Sequence, residues 1–328
     1  MMMRKRIYKG KIEIVRRVPG MIKLCEIAQQ KFSKEGFETP IRERVRKFLI
    51  SNHILFHKKY GIFIIYWHFL YVMAHFSTHT LISSNYTQTY VTLEPQEYAF
   101  STVKRLCQSF EKDEETKRCM RDVIEYVMKK DVETTYVDRP RLRIQPSDGD
   151  SVDEVSDSKY GFGRFSQTLP LHRDTWGSGI AYQINWWGPL FELDKHRTLQ
   201  IYPSYFDKSV QNTSSDWNYE ALKRCRKSGE SYPQMPVFRG DLKKVSLDAQ
   251  PIVVEPGDLV LFSGAHLHSS VPNRTGLCRI STEWRTFDSC DYDSSSVKGA
   301  PNVDGTYLCG PRTEWFRNAI TGKHYSKN

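Results

Sequence analysis

The sequence lacks any pair of cysteines at the two-residue spacing typical of structural zinc sites, and its seven cysteines are an odd number. Both features argue against a disulfide framework and favour reduced thiols, so we expect a cytoplasmic protein. Glycine and proline, at 19 and 15 residues, are too scarce for a collagen-like or linker-like chain. With 39% hydrophobic and 13% aromatic residues, the 328-residue chain is instead able to bury a large core.

Long apolar runs are also missing. The uncharged, aromatic-rich segment 61–76 has 16 residues and includes His68 and His75, whereas a membrane-spanning helix needs roughly 20 apolar residues. We interpret segment 61–76 as a buried or interfacial element. A membrane anchor is the less favoured alternative, and a stretch that is foreign to the mature protein is another.

Acidic residues are scarce only near the N-terminus. Residues 1–59 contain 16 Lys and Arg against 5 Asp and Glu, while the remainder of the chain contains 32 against 33. The formal net charge of +10 is therefore a property of the N-terminal segment. A nucleic-acid-binding fold more often spreads its basic residues over one working face, so we interpret the excess as a basic arm or a solvated helix face and disfavour nucleic acid as a partner.

The order of predicted elements divides the chain at about residue 90. Residues 1–90 form a basic N-terminal extension that contains the apolar segment, and residues 91–328 form one domain. Helices are predicted at 40–50, 97–110 and 114–129. Short strands separated by turns follow, which is typical of a sandwich or barrel. These strands are predicted at 141–145, 181–187, 198–202, 251–254, 258–262 and 279–285. A polar insertion is expected at about 205–240 and C-terminal loops at 291–328.

A histidine and an aspartate stand two residues apart in His172-Arg173-Asp174. On an extended backbone such residues project from the same face, so an imidazole and a carboxylate can hold one metal ion together. The third ligand must come from elsewhere, and the candidates are His266 and His268, which follow a predicted strand. Two imidazoles and one carboxylate on one face of an octahedral ion are typical of non-haem Fe(II) oxygenases, and they leave three coordination positions open.

The predicted strand 279–285 carries an unusual polar face. Arg279, Ser281, Glu283 and Arg285 share one side of it, while the residues between them are mostly apolar. A half-buried strand does not ordinarily need three charged side chains on one face. An arginine one strand away from a metal site suits bidentate pairing with a small dicarboxylate.

The segments PGDLVLF (256–262), HSSVPNRT (268–275) and RIS (279–281), with TLQIYP (198–203), resemble the phytanoyl-CoA dioxygenase-like family of Fe(II)/2-oxoglutarate-dependent oxygenases. The resemblance covers about residues 135–290. It implies a mainly β fold with flanking helices (α+β), whose core is a double-stranded β-helix of the jelly-roll or cupin-like kind with N-terminal helices packed on it. The turn after Pro203 departs from the family's Pro-Gly-Ser-His pattern, and the insertion 205–240 has no counterpart.

The resemblance also implies a set of site residues. His172, Asp174 and His268 would be the iron ligands, because the family register falls on His268 and not on His266. Arg279 would pair with the distal carboxylate of 2-oxoglutarate, and Ser281 would donate a hydrogen bond beside it. Fe(II), 2-oxoglutarate as cosubstrate and O2 are the implied cofactors.

Further candidates come from the neighbouring strands. Gln183 and Asn185 share one face of a predicted strand, so they contact either the cosubstrate or solvent. Trp176 either forms a wall of the substrate pocket or packs in the core. Arg141 and Arg143 contact either an anionic group of the substrate or the acidic loop 147–158.

The sequence thus predicts an Fe(II)/2-oxoglutarate-dependent dioxygenase that hydroxylates a small organic molecule and releases succinate and carbon dioxide. Asp174 occupies the position where halogenases have a small residue, which disfavours halogenation. Two alternatives remain open. One is an AlkB-like nucleic-acid demethylase, because the six-residue spacing of Arg279 and Arg285 resembles the two-arginine pattern of those enzymes. The other is a non-catalytic, metal-binding cupin-like barrel.

Overall fold

The computed structural model describes residues 2–34, 97–145, 168–275, 277–294, 297–305 and 310–326. The predicted helix 40–50, the segment 61–76 and the acidic loop 147–158 lie outside these ranges. The helices are α1 Met2–Ile7, α2 Pro19–Lys34, α3 Glu97–Lys112, α4 Glu114–Met128, α5 Thr175–Ser178, α6 Tyr219–Ser228, α7 Leu242–Ser246 and α8 Ser289–Asp293. The strands are β1 Glu13–Val15, β2 Thr135–Val137, β3 Arg141–Gln145, β4 Ile184–Pro189, β5 Leu199–Ile201, β6 Gln250–Pro251, β7 Leu259–Ser263, β8 His268–Ser270, β9 Arg279–Asp288 and β10 Arg317–Asn318.

The described strands form two antiparallel sheets. The larger sheet has the order β1-β7-β4-β9-β2-β10, and β3 also pairs with β9. The smaller sheet has the order β6-β5-β8. Neighbours in the sheets are often distant in sequence, so the long β9 joins segments from several parts of the domain.

Alternation along the strands gives the larger sheet two different faces. Ile280 and Trp284 of β9 pack with the helices, together with Leu259 and Leu261 of β7. The opposite face of β7 packs against β5 of the smaller sheet through a second apolar cluster. The architecture is therefore a layer of helices, the larger sheet and the smaller sheet, with an apolar core on each side of the larger sheet.

Residues 2–34, which the sequence assigns to the N-terminal extension, contribute to this core. Strand β1 pairs with β7 at the edge of the larger sheet, and α2 buries one face against α4 and the sheet. Asp258 fixes the loop between β1 and α2. Its carboxylate accepts hydrogen bonds from the Arg16 side chain at 2.6 Å and from the Arg17 backbone N–H at 2.9 Å.

One basic residue of the N-terminus is buried rather than solvated. Arg4 of α1 is 5% exposed and forms ion pairs with Asp131 at 2.8 Å, Asp288 at 3.2 Å and Asp291 at 2.8 Å. Burying a guanidinium is tolerated here because three carboxylates compensate its charge. This cluster ties α1 to the far end of β9, so the expectation of a solvated basic arm does not hold for Arg4.

The structure confirms much of the predicted secondary structure. The helices near 97–110 and 114–129 are α3 and α4, and each predicted strand has a counterpart in β3, β4, β5, β6, β7 or β9. The mixture of helices with antiparallel sheet agrees with the predicted fold class, while closure into a double-stranded β-helix stays a prediction. No helix within the described ranges is long and apolar enough to cross a membrane.

Candidate metal centre

Two histidines are brought together by backbone pairing. His172 and His268 form an antiparallel bridge in which each backbone N–H donates to the other residue's carbonyl oxygen at 3.0 Å. Their ring centroids are 4.2 Å apart. Asp174 lies two residues further, where the chain turns into α5 with φ −64° and ψ −30°. The backbone is thus helical, not extended, at Asp174, yet its carboxylate still reaches the imidazoles.

The three side chains present one ligand atom each in a single cluster. The Nε2 atom of His172 lies 3.9 Å from Asp174 Oδ1, and the Nε2 atom of His268 lies 4.0 Å from Asp174 Oδ2. All three ligand atoms lie within 4.8 Å of one another. An ion with metal–ligand distances of about 2 Å fits between atoms at this separation.

Each histidine is oriented by its other ring nitrogen. The Nδ1 atom of His172 lies 2.7 Å from the carbonyl oxygen of Pro170, and that of His268 lies 3.0 Å from the carbonyl oxygen of His266. A carbonyl oxygen only accepts, so each Nδ1 carries the proton and each Nε2 keeps its lone pair for a metal. Such carbonyl partners fix the tautomer and the ring angle in metal sites.

Burial and neighbouring charges favour the metal-binding protonation states of His172 and Asp174. Burial, reinforced by His268, lowers the pKa of His172 to about 3 against the opposing effect of Asp174. Burial alone raises the pKa of Asp174, but His268, Arg285 and His172 together bring it below its usual value. A neutral imidazole and an ionised carboxylate at neutral pH are the forms that bind a divalent cation.

Asn185 and Gln183 form a chain behind the aspartate. The Asn185 amide donates to Asp174 Oδ2, and the Gln183 amide donates to Asn185 Oδ1 at 2.7 Å. Gln183 precedes β4 and Asn185 lies within it, and both side chains are buried. The sequence predicted that these two residues contact either the cosubstrate or solvent; in the structure both are buried, and their hydrogen bonds orient the carboxylate of Asp174.

His266, the competing third ligand, points away from the cluster. Its Nδ1 atom lies 3.2 Å from the Ser263 carbonyl oxygen, and its Nε2 atom lies 3.2 Å from the carbonyl oxygen of Gly10. Its ring packs on Phe206 with centroids 4.6 Å apart. Both ring nitrogens therefore face backbone oxygens, and His268 is the histidine that completes the set with His172 and Asp174.

Arg279, at the start of β9, is a buried guanidinium with little compensation. It is 2% exposed, its Nη1 donates to the Thr198 carbonyl oxygen at 3.0 Å, and its Nε has no hydrogen-bond partner. The hydroxyl of Ser281 on the same face of β9 is also buried without a partner. None of the described carboxylates forms an ion pair with Arg279, and burial, together with Arg143, lowers its pKa to about 9.

The guanidinium and the histidine pair lie along the same strand of the smaller sheet. Arg279 contacts Thr198, and His268 pairs with Ile201, three residues further. Three residues of extended strand span about 10 Å. Residues 198–201 therefore connect the contact of Arg279 to that of His268.

A cavity of about 950 Å³ opens beside the triad. Its wall contains Arg141 and Arg143 of β3, and each is paired: Arg141 with Asp138 at 2.7 Å, and Arg143 with Glu283. Burial alone raises the pKa of Glu283, but Arg143 and the other nearby arginines lower it to about 2. Glu283 and Arg285 of β9 line this cavity, whereas Arg279 and Ser281 on the same face do not.

Trp176 packs in the core, which is one of its two predicted roles. It is fully buried, and its indole N–H donates to Asp304 Oδ2 at 2.8 Å. The same carboxylate lies 2.9 Å from Nε of Arg173, inside the His-x-Asp motif. Asp304 was not predicted from the sequence, because its contacts with Trp176 and Arg173 join segments about 130 residues apart and leave no local pattern.

The comparisons with known proteins give structural similarities only. No protein-family model and no curated protein matches the chain. It is similar to AviO1 from Streptomyces viridochromogenes Tue57 at 15% identity and a TM-score of 0.31, over 59% of this chain and 68% of AviO1. It is similar to ThoJ, a non-heme monooxygenase, at 14% identity and a TM-score of 0.34, over 60% of this chain and 66% of ThoJ. EvdO2 from Micromonospora carbonacea var. aurantiaca, in a structure complexed with 2-oxoglutarate, is 12% identical with a TM-score of 0.35, over 57% of this chain and 64% of EvdO2. Likeness at these values carries no argument about activity, so the site is assigned from its own residues.

Proposed function

We propose that this protein is an Fe(II)- and 2-oxoglutarate-dependent oxygenase that hydroxylates a small organic molecule. The observation that carries the proposal is the pairing of two incomplete sites. His172, Asp174 and His268 offer three ligand atoms to one ion, and Arg279 has a buried guanidinium whose Nε has no hydrogen-bond partner and with which none of the described carboxylates forms an ion pair.

The donor set suits iron in an oxygenase. Two imidazole nitrogens and one carboxylate oxygen on one side of an ion are typical of non-haem Fe(II) oxygenases and leave three positions for other ligands. In this proposal His172 and His268 bind through Nε2, while Asn185 holds the carboxylate of Asp174 toward the ion. The backbone carbonyl partners of the two imidazoles keep both rings fixed while ligands exchange on the open side.

The cosubstrate suits the second site. A guanidinium with a free Nε and a neighbouring hydroxyl with no partner form a buried anion site of the kind that a carboxylate completes. When bound, Fe(II) and 2-oxoglutarate would use O2 to oxidise an unactivated C–H bond to an alcohol, one oxygen atom entering the substrate and the other entering the succinate that forms with carbon dioxide from 2-oxoglutarate. The protein's own contribution is to orient the reactants and to exclude water around them.

The test is turnover of the cosubstrate. We expect the iron-loaded protein to convert 2-oxoglutarate to succinate in air, at least slowly without substrate, and Asp174→Asn and Arg279→Met to abolish this conversion. His266→Gln is the matched control, because His266 lies two residues from a proposed ligand and faces Gly10 instead. Succinate at background level in a folded, iron-loaded wild type would refute the proposal and leave a non-catalytic metal-binding barrel.

A further inference from the structure

We propose that the substrate of this enzyme is an aromatic or flat molecule with one anionic group, which Arg141 and Arg285 bind next to the metal centre. This inference rests on the proposed function, because it concerns the cavity that opens at the triad. It assigns the anionic group of the substrate to a place separate from Arg279, which would serve the cosubstrate.

Two arginines share one carboxylate in the cavity wall. Arg141 Nη2 and Arg285 Nε both lie 2.7 Å from Oδ2 of Asp138. Asp138 is 5% exposed, whereas the side chains of Arg141 and Arg285 are 20% and 19% exposed. The carboxylate is therefore turned into the protein, while part of each guanidinium faces the cavity.

The charges of this wall leave an excess of one positive charge. Arg143 and Glu283 form a pair beside the first group, so three guanidiniums face two carboxylates. The charges of Fe(II), Asp174, 2-oxoglutarate and Arg279 add up to zero and leave this excess uncompensated. A singly charged anion of the substrate balances it, and an arginine is well suited to bind carboxylate, sulfonate or phosphate oxygens.

The rest of the cavity lining also carries more positive than negative charge. Beyond the inner group and the His-x-Asp motif, the lining has five Lys and Arg residues against one acidic residue, Glu314, although Lys117 and Arg139 pair with Glu114 and Glu111 outside the lining. These basic residues are Lys117, Arg121, Arg139, Arg226 and Arg317. Cavities lined by one sign of charge raise the local concentration of ligands of the opposite sign.

Aromatic rings stand beside the anion site. The guanidinium of Arg285 lies over the Trp315 ring at 5.3 Å from its centroid, and Tyr219 packs edge-on against Trp315 at 5.1 Å. Trp217 continues this wall at 6.2 Å from Tyr219, and all three rings line the cavity. Trp217 is buried, and Arg312 and Lys223 lie over the Tyr219 ring at 5.0 and 5.3 Å. The three rings therefore give the wall beside Arg285 an aromatic character that favours a flat, apolar body next to the charged group.

The site is close to the place of reaction. Nη1 of Arg285 lies 3.9 Å from Oδ1 of Asp174, one of the proposed metal ligands. An anion on Arg285 therefore holds the neighbouring carbon atoms of the substrate near the open side of the metal. Arg285 binds and positions the substrate in this account and takes no part in the chemical step.

Small aryl anions provide a test that does not need the natural substrate. The protein is loaded with Fe(II) and 2-oxoglutarate without oxygen, and binding of benzoate, benzenesulfonate and phenyl phosphate is measured by calorimetry. Benzamide, the neutral analogue of benzoate, is the ligand control. We expect at least one of the three anions to bind about ten-fold more tightly than benzamide, with the visible band of iron-bound 2-oxoglutarate retained.

Two variants that change the net charge of the cavity wall in opposite directions distinguish an anion-binding site from a merely structural cluster. Arg141→Gln removes the excess charge and is expected to weaken anion binding about ten-fold, whereas Asp138→Asn adds to the excess and is expected to strengthen it. Arg285→Gln provides a second loss of charge if Arg141→Gln does not fold. Arg118→Gln is the matched control, because Arg118 lies on α4 with its side chain 64% exposed.

Each outcome bears on one proposal. The inference is refuted if none of the anions binds more tightly than benzamide, if Arg141→Gln and Asp138→Asn change binding in the same direction, or if the anions displace 2-oxoglutarate. If the wild type with Fe(II) and 2-oxoglutarate shows no visible band even before an anion is added, the proposed function is refuted instead. The three anions also show whether carboxylate, sulfonate or phosphate oxygens fit best.

Discussion

Replacing Arg279 by methionine distinguishes the effect of this side chain on folding stability from its effect on binding of 2-oxoglutarate. In the protein without cosubstrate, Arg279 is buried with one carbonyl oxygen as its partner. Burial and Arg143 lower its pKa to about 9, which corresponds to about 4–5 kcal/mol against the charged form. This penalty is complete at pH 7, because the folded protein begins to lose the proton only near pH 9, whereas the unfolded chain keeps it to higher pH.

Part of that penalty is not recovered on substitution, because the hydrogen bond to Thr198 is lost and methionine does not fill the same space. Replacement of buried charged groups by apolar ones is often neutral or stabilising by about 1–4 kcal/mol. We therefore expect Arg279→Met without ligands to unfold at the wild-type temperature or up to about 8 °C above it. A residue with a purely structural role would give the opposite sign.

The same variant should lose its response to the cosubstrate. A ligand at about 100 times its dissociation constant stabilises the wild type by about 2.7 kcal/mol, and an unpaired buried carboxylate costs about 3–5 kcal/mol. Thermal unfolding with Fe(II), without oxygen and with or without 2-oxoglutarate, measures both effects. The reasoning fails if Arg279→Met is clearly less stable than the wild type and still gains the wild-type increment from 2-oxoglutarate.

Three further predictions concern the metal, the core and the charged wall. His268→Gln is expected to lower iron affinity at least about ten-fold while His266→Gln does not, as measured by equilibrium dialysis. Gly188→Ala is expected to cost about 1–3 kcal/mol of unfolding free energy, because an added methyl group would lie 2.8 Å from a backbone oxygen; an unchanged urea midpoint would contradict the close packing of β4. The Glu283 carboxylate has a pKa lowered to about 2, so its contribution of about 3 kcal/mol is present at pH 7 and is lost between about pH 5 and pH 2. The difference in urea stability between the wild type and Glu283→Gln should therefore shrink over that interval, and a constant difference would be evidence against the ion pair with Arg143.

Local spacing carried the information for part of the candidate site, although Asp174 is helical and not extended as the sequence predicted. His172 and Asp174 are two residues apart, and alternation along β9 placed Arg279 and Ser281 on one face. The choice of His268 over His266 came from the family resemblance, and the bond from His266 to Gly10 accounts for it physically.

The remaining parts depend on contacts that the sequence does not display. Strand β1 has three residues in a basic segment, and its partner β7 lies about 250 residues away. Strand β8 is fully buried but reads His-Ser-Ser, so it shows no alternation of apolar and polar residues. Trp315 reaches the cavity from the C-terminal segment that the sequence indicated only as loops. In each case, pairing between distant segments decides the position, and composition gives no sign of it.

The most direct measurement of the central claim is the visible spectrum of the protein with Fe(II) and 2-oxoglutarate in the absence of oxygen. A 2-oxo acid that chelates Fe(II) gives a weak charge-transfer band. We expect this band in the wild type, its loss in Asp174→Ala, and its loss or weakening in Arg279→Ala at the same 2-oxoglutarate concentration. A folded wild type that binds iron but gives no band would contradict the assignment of 2-oxoglutarate to this site.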